Sequence, residues 1–453
     1  MDKSSPISIV APYNMIIARY VEIGLKSRKV RNRMEQRLLK HIQAILSRES
    51  VKCEKAYCKW GRLIFEISAQ EMEKTLLIFR NIIGIHSYSP VIQVTNQLDQ
   101  LFQAIQDFSL NYLTDNDSFA VRVKRFKTFP KTSLELEREI GELVLKTFQE
   151  KEKTLHVDLD NPKKTIYLEV KEESAYLFGD IYYTAWGGNP IENDKAMFTF
   201  WKGLPGELAS AFLLTRRGTV TIPVIFYDNS TKLTQDENPL LPISMNNLQV
   251  LSAYYSFPLP YIMVNMKSVV NFWEQKNEEE WLVSFSKEDF YNRVAILIIS
   301  NLLKQKNLAD LLFCQNKRLL IKGVIFSNHS LFNPADHSNY SIDLLKFVQR
   351  QSLSCFFPLL GLPSPVINQI ELSLTKQSYE LISTEFSLSS LIQPFLTNSA
   401  DDRAIFIKHD TSSRDDDELV EYFDKWKESE DLENLIQQVL AEIQIRKSVS
   451  HFF

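Results

Sequence analysis

The stretch from Ala196 to Asp228, which reads AMFTFWKGLPGELASAFLLTRRGTVTIPVIFYD, constrains the fold most strongly. It holds two apolar runs, AMFTFW and TVTIPVIFYD, separated by a short turn and an apolar segment of helical length that ends at Gly218. Two buried strands that are joined by a helix pair in parallel, because no tight hairpin connects them. The stretch therefore predicts the start of a parallel α/β sheet. Its turn, KGLPGE, lies where nucleotide-binding α/β proteins hold phosphate.

Regular patterns also fill the first 95 residues. A short apolar run from Met15 to Val21 predicts a buried strand, and RLIFEIS and VIQV predict two more. QEMEKTLLIFRNI predicts a helix before the last of these strands. A longer helix follows the first strand, because apolar residues recur every four positions, at Val30, Met34, Leu38, Ile42 and Leu46. Together these elements predict a small α/β unit of ferredoxin-like type that ends near residue 95.

A second α/β unit is predicted from there to about Tyr183. It begins with a helix from about Leu98 to Leu113, and FAVRVKRF then alternates as a half-exposed strand does. Thr132 or Ser133 caps the next helix, whose first turn carries Glu135 and Glu137. LHVDLDNPKKTIYLEV predicts a strand, a turn at Asn161-Pro162 and another strand.

The region after the parallel strands has weaker patterns. YNRVAILIISNLLK, from Tyr291 to Lys304, predicts a helix, and RLLIKGVIF predicts a buried strand. A loop from Ser327 to Tyr340 and a helix near SIDLLKFVQR follow. The chain closes with an acidic turn and an amphipathic helix that we place from Glu418 to Lys447.

Charge is distributed unevenly along the 453 residues. Residues 1–186 carry 28 Lys and Arg against 24 Asp and Glu, whereas the remainder carries 24 against 32. Seven basic residues lie between Lys26 and Lys40 against one acid, Glu35. A second cluster lies on and after the alternating strand. The residues predicted to contact a polyanion are Lys26, Arg28, Lys29, Arg31, Arg122, Lys124, Arg125, Lys127 and Lys131. Such clusters bind nucleic acid by displacing counterions from phosphates.

Cysteine and histidine usage predicts no metal centre. Cys53 and Cys58 form a C-x4-C pair with no second pair to complete a zinc site, and Cys314 and Cys355 stand alone. We interpret all four as reduced thiols of a cytoplasmic protein. No apolar run reaches the roughly 18 residues that a membrane-spanning helix needs, so no membrane association is expected.

Several motifs resemble the tRNA 4-thiouridine synthetases. IIARYVEIGLKSRKVRNRMEQRL is similar to that family's opening strand and helix, and VRVKRFKTFPKTSLELEREIG and VDLDNPKKTIYLEV are similar to its THUMP signature. The resemblance implies a ferredoxin-like domain over residues 1–95, a THUMP RNA-binding domain over 96–185 and a linker over 186–195. A Rossmann-like, PP-loop-type parallel-sheet domain over 196–453 completes the implied α/β architecture. It also implies binding to the acceptor region of tRNA, a homodimer, and a partner protein in tRNA modification.

The family's PP-loop has a divergent counterpart here. Aligned on LLTRRG, its S-G-G-x-D-S residues fall on Lys202, Gly203, Leu204, Pro205, Gly206 and Glu207. Only the first glycine is kept. Pro205 has no N–H to offer a phosphate, and Glu207 places a carboxylate where an anion would bind. The resemblance places two further signatures at KGVIFSNHSLFNP, which keeps only Gly323, and at SYELISTEFSLSS, where Ser389 and Ser390 replace the catalytic cysteine.

These departures leave three hypotheses for the chain. In the first, it is a tRNA-binding protein without a cofactor or a catalytic residue, and its C-terminal domain is a silent scaffold. In the second, it is an active uridine sulfurtransferase that uses ATP through a non-standard loop. In the third, which is compatible with the first, the acidic C-terminal helix docks onto another modification enzyme.

Overall fold

The chain is described from a computed structural model, and it divides after Ile191 into two compact units. The structure describes residues 13–228, 240–276, 287–305, 313–314, 317–327, 348–350, 354–360, 362–382 and 430–448.

The first unit opens with the βαββαβ order of a ferredoxin-like fold. Its elements are β1 (Met15–Arg19), α1 (Arg28–Arg48), β2 (Cys53–Lys59), β3 (Arg62–Ile67), α2 (Met72–Arg80) and β4 (Ser87–Val94). The strands lie antiparallel in the order β2-β3-β1-β4. The predicted helix face is confirmed, since Met34, Leu38, Ile42 and Leu46 are buried.

The sequence analysis did not predict strand β2, because this strand has no apolar run. Its residues, CEKAYCK, are exposed or half-buried at the edge of the sheet. It joins β3 through a two-residue turn in which Trp60 has a φ of 53° and Gly61 a φ of 69°. Two consecutive positive φ angles are typical of the type I′ turn that links tightly twisted strands.

The same sheet, with nine strands in all, continues into the second half of this unit. The elements of this half are α3 (Leu98–Tyr112), β5 (Ser118–Lys124), α4 (Ser133–Gln149), β6 (His156–Val157), β7 (Lys164–Val170), β8 (Ala175–Phe178) and β9 (Tyr182–Tyr183). The strands on either side of Asn161-Pro162 do not pair with each other, because β5 lies between β6 and β7. Thr132 caps α4 in a reciprocal hydrogen-bonded box with Glu135.

The two halves of the first unit share strands and core. The start of β4 pairs with β1, and its last residues, from Ile92 to Val94, pair with β8. Tyr176 and Phe178 of β8 pack in one apolar cluster with Met15, Ile17 and Ile64. The hairpin of β7 and β8 therefore packs against the sheet formed by the first 95 residues.

The second unit is built on the predicted parallel sheet, with strands in the order β16-β15-β10-β11-β12-β17. Its strands are β10 (Glu192–Trp201), β11 (Thr219–Tyr227), β12 (Leu259–Asn265), β13 (Phe313–Cys314), β14 (Lys317–Arg318), β15 (Leu320–Ile325), β16 (Cys355–Phe356) and β17 (Gln444–Ser448). Its helices are α5 (Glu207–Thr215), α6 (Leu240–Ala253), α7 (Lys267–Lys276), α8 (Lys287–Lys304), α9 (Ser364–Ile382) and α10 (Glu430–Ala441). The predicted crossover is confirmed, because β10 and β11 pair in parallel on either side of α5. β10 begins at Glu192, inside the segment predicted as a linker.

The C-terminal helix is shorter than predicted. It ends at Ala441, and Gln444–Ser448 forms β17, which pairs antiparallel with β12. This pairing satisfies the backbone groups along an edge of the sheet, which outweighs the continuation of the helix. Residues 418–429, most of the predicted loop at 327–340 and most of the helix near 341–350 lie outside the described residues. Within the described part of the chain, no helix has the length and apolar character to cross a bilayer.

Candidate RNA interface and the nucleotide-loop position

The first predicted basic cluster lies at the start of α1 and faces solvent. The side chains of Lys26, Arg28 and Lys29 are exposed and pair with no other described residue. The helix begins after Ser27 with no side-chain cap and no acidic residue in its first turn. Cations at this end of a helix oppose the helix dipole. Helix stability therefore does not explain these cations.

The second predicted cluster divides into structural and exposed cations. Arg122 donates to the carbonyl of Leu159, and Arg125 donates to the carbonyls of Phe126 and Lys127, at 3.0 and 2.6 Å. These two guanidinium groups thus hold loops of the chain.

Among the remaining cations of that cluster, Lys131 is also engaged. Its ammonium lies 2.7 Å from a carboxylate oxygen of Glu139. Lys124 and Lys127 are exposed, and their ammonium groups pair with no other described residue. The structure therefore leaves these two lysines available for phosphate.

A cavity of about 480 Å³ lies between the start of α1 and the β2–β3 turn. Arg28, Arg31 and Asn32 line it from the helix, and Lys59 and Trp60 line it from the turn. Trp60 was missed in the sequence analysis. The available signal was the pair Trp60-Gly61 between two strands, which is the position of a tight hairpin turn.

The nucleotide-loop position is occupied by a carboxylate of the loop itself. Glu207, the first residue of α5, is 1 % exposed. One of its oxygens accepts a hydrogen bond from the backbone N–H of Lys202 at 2.6 Å, and the other accepts from that of Gly203 at 2.9 Å. The ammonium of Lys202 donates to the Asn292 side chain at 2.8 Å. The predicted loop residues are therefore brought together around Glu207.

A second carboxylate reaches the same helix end from α9. Glu371 accepts hydrogen bonds from the backbone N–H groups of Gly206 at 2.8 Å and Ala209 at 3.4 Å. Burial raises the pKa of Glu371, and the backbone N–H groups that it binds oppose that shift.

Apolar side chains close the space around Gly206. Its φ is 85°, and a Cβ atom built there would lie 2.8 Å from Cδ1 of Leu359. Leu359 and Ile367 pack with Ala209 of α5 in one apolar cluster. Leu204 and Pro205, by contrast, are exposed at the tip of the loop.

Glu207 has an unusual proton affinity. Burial raises its pKa to about 7, opposed by the backbone N–H groups of Lys202, Gly203 and Leu204 and by the Lys202 ammonium. The ionised fraction of Glu207 therefore changes steeply with pH near neutrality.

The two domain families that match this chain both lie in its first unit. The family model of the ThiI ferredoxin-like domain matches residues 15–89, and that of the THUMP domain matches residues 95–180. A "probable tRNA sulfurtransferase" of Thermococcus kodakarensis is 31 % identical over 223 residues, which cover 48 % of this chain and 56 % of that protein. One of Mycoplasmopsis agalactiae is 28 % identical over 301 residues, covering 66 % and 72 %.

In its two matched domains and in its relatives, the chain resembles the tRNA 4-thiouridine synthetase family. It spans about half the length of the archaeal relatives it matches, such as that of Methanosarcina acetivorans, where 53 % is covered at 26 % identity. A crystal structure of a 4-thiouridine synthetase–RNA complex with bound ATP has the same fold, with a TM-score of 0.70 at 17 % identity. That likeness covers 96 % of this chain and all of that one.

The ATP that this family implies does not fit the loop as it stands here. A pyrophosphate needs backbone N–H groups that point into open space. The N–H groups of Lys202, Gly203 and Gly206 are already bound to Glu207 and Glu371. A phosphate at this position would have to displace both carboxylates.

The thiols differ from the reactive cysteine that the family resemblance implies. Burial raises the pKa of Cys355 to about 11, and those of Cys53 and Cys58 to about 11 and 12. A thiol with a raised pKa is a weak nucleophile near neutral pH, since the thiolate is the reactive form. Ser389 and Ser390 lie outside the described residues. In the part of the chain that the structure describes, no group of His, Cys, Asp and Glu could hold a metal ion.

Proposed function

We propose that this protein binds the acceptor region of tRNA through its first unit, and that its second unit no longer activates uridine with ATP. The THUMP match over residues 95–180 and the exposed cations of α1 and β5 support the first half of the proposal. The proposed function requires no cofactor and no catalytic residue.

A single observation carries the second half of the proposal. The helix end that would bind a pyrophosphate is bound by two carboxylates of the chain itself, those of Glu207 and Glu371. Glu207 is the first residue of α5 and is almost fully buried, so its carboxylate lies inside the loop. An incoming phosphate would also meet like charge in a buried place, which is costly.

The alternative function is that of an active uridine sulfurtransferase with a non-standard loop. The fold likeness over 96 % of the chain favours it, since the whole parallel sheet is retained. In that case ATP binding would require both Glu207 and Glu371 to release the backbone N–H groups that they bind.

Parallel titrations test the proposal. We expect tRNA to bind at low salt and to lose about a thousandfold or more in affinity between roughly 50 and 200 mM salt, as several phosphate contacts require. We expect no heat or shift in melting temperature on addition of ATP with Mg²⁺. Indifference to tRNA at low salt would refute the first half, and saturable ATP binding would refute the second.

We further propose a cytoplasmic protein that forms a homodimer and acts beside a tRNA-modification enzyme. Docking of that enzyme through the apolar face of α10 is disfavoured, because Leu432, Leu435, Ile436 and Val439 are buried in the protein's own core. Asp431 is also paired with Lys276, at 2.9 Å. Only the acidic outer face of the helix is left to such a partner.

A further inference from the structure

We propose that the cavity between α1 and the β2–β3 turn holds one unpaired nucleotide of the bound RNA, with its base against Trp60 and its phosphate at Arg28 and Arg31. This inference rests on the proposed tRNA binding and names the kind of nucleotide that this part of the surface takes.

The turn presents a large aromatic ring to solvent at a conformational cost. Trp60 is 38 % exposed and has a φ of 53°, a region that bulky side chains rarely adopt. Asn or Asp would suit this turn position better. Strain of this kind is typical of places where a side chain serves binding rather than folding. The outer part of the indole is thus available to a ligand.

Cations from two elements lie beside this indole. The ammonium of Lys59 lies 4.3 Å from the ring centroid, and that of Lys171, from the β7–β8 loop, lies 5.7 Å from it. Glu173 holds Lys59 at 3.0 Å, and Glu169 holds Lys171 at 3.2 Å. Because these two ammonium groups are already paired with carboxylates, they position the ring, and the phosphate is left to Arg28 and Arg31. Bases of single-stranded nucleic acid stack on aromatic rings that proteins present beside basic residues.

The polar groups on the helix side of the cavity suit a nucleotide as well. Arg28 and Arg31 line it one turn apart, and Asn32 adds an amide. Glu35 also lines it, but its carboxylate accepts a hydrogen bond from Tyr20 and lies 4.0 Å from Nε of Arg31, so its charge is partly offset. A base edge could bond to Asn32 or Glu35 while the phosphate pairs with the arginines.

The size and position of the cavity favour an unpaired residue of a longer RNA. Its volume of about 480 Å³ is within the range of small-ligand sites, and base edges buried inside a helix are less free to reach it than those of an unpaired nucleotide. Lys26 and Lys29 continue the positive surface beyond the cavity along α1. A longer RNA can therefore remain bound on both sides of the inserted nucleotide.

Two RNA probes and a matched aromatic control test the inference. The probes are a blunt RNA duplex and the same duplex with a short single-stranded overhang. We expect Trp60→Ala to weaken binding of the overhang duplex by about 5- to 100-fold, the usual cost of losing one stacked base. The blunt duplex should be unaffected. Trp60→Phe should retain most of the affinity. Tyr183→Ala, which removes a ring that is 55 % exposed in the same unit and does not line the cavity, should change nothing.

The outcomes separate this inference from the proposed function. Failure of the wild-type protein to bind either RNA at low salt would refute the proposed function. Wild-type binding with no effect of Trp60→Ala would refute only this inference, and would assign the surface to a protein partner. Equal loss on both duplexes would also refute it, because the indole would then support the hairpin and not a base.

A fluorescence measurement covers the case in which Trp60→Ala does not fold. The difference in emission between wild type and Trp60→Phe isolates the Trp60 indole. We expect the overhang duplex to quench that difference signal and the blunt duplex to leave it unchanged. Equal signals with both RNAs would overturn the proposal.

Discussion

Glu207 decides the chemistry of the loop at the residue scale. Its side chain binds two successive backbone N–H groups of the loop and places a carboxylate where a phosphate would sit. A serine at this position, as the family resemblance implies, would leave those N–H groups to an external anion. The substitution is thus favourable for the helix and unfavourable for a nucleotide.

The pKa of Glu207 predicts a pH-dependent stability. Because the pKa rises from 4.5 to about 7 on folding, the folded protein holds the proton more tightly. This contribution is complete below pH 4.5 and is lost as the pH rises through 7; it amounts to at most about 3 kcal/mol.

Compared with Glu207→Gln, the wild type should lose stability between pH 4.5 and about pH 7. Melting of both proteins at a series of pH values checks this, with Glu433→Gln, an exposed carboxylate on α10, as control. If the melting temperatures of the wild type and of Glu207→Gln changed in parallel with pH, the raised pKa of Glu207 would be contradicted.

The exposed and structural cations of the THUMP region predict opposite effects. Lys124→Glu with Lys127→Glu should weaken tRNA binding for all tRNAs alike and reduce the salt dependence by roughly 0.9 per lost phosphate contact, with an unchanged melting temperature. Arg125→Ala should instead lower the melting temperature, since its guanidinium holds two carbonyls. Binding curves and melts of the same preparations measure both. The assignment fails if the lysine pair melts early or binds normally.

At the scale of elements, α9 holds the start of α5 in place, and we call this contact between the two helices the clasp. The two helices meet through an apolar cluster and through Glu371, which binds backbone N–H groups at the start of α5. Together these contacts close the nucleotide-loop position.

We expect Glu371→Ala to destabilise the second unit by about 1–3 kcal/mol, because buried N–H groups of α5 would lose their acceptor. Glu371→Gln, which keeps an acceptor oxygen, should recover part of that loss. Hydrogen exchange at Gly206 and Ala209 should increase in the alanine variant alone. An alanine variant with native melting and native exchange would show that the clasp contributes nothing.

At the scale of the whole molecule, local patterns predicted most of the fold. The period of α1, the cap of α4 and the β10–α5–β11 crossover all follow from residues close in sequence. Strand β2 and strand β17 were missed because edge pairing, and not an apolar run, stabilises them. The clasp was also missed, since Glu371 lies 165 residues from Gly206 and no local pattern connects them. Similarly, the cations that bind carbonyls cannot be distinguished in sequence from those that face solvent.

We propose, for the molecule as a whole, that it binds tRNA through its first unit and that its own carboxylates fill the nucleotide loop of its second unit. The most direct test is the release of AMP from ATP by the purified protein in the presence of tRNA, Mg²⁺ and a sulfur donor. We predict no AMP above the background without protein, in samples where tRNA binding is demonstrated in parallel. AMP release that depends on tRNA and on this protein would contradict the account.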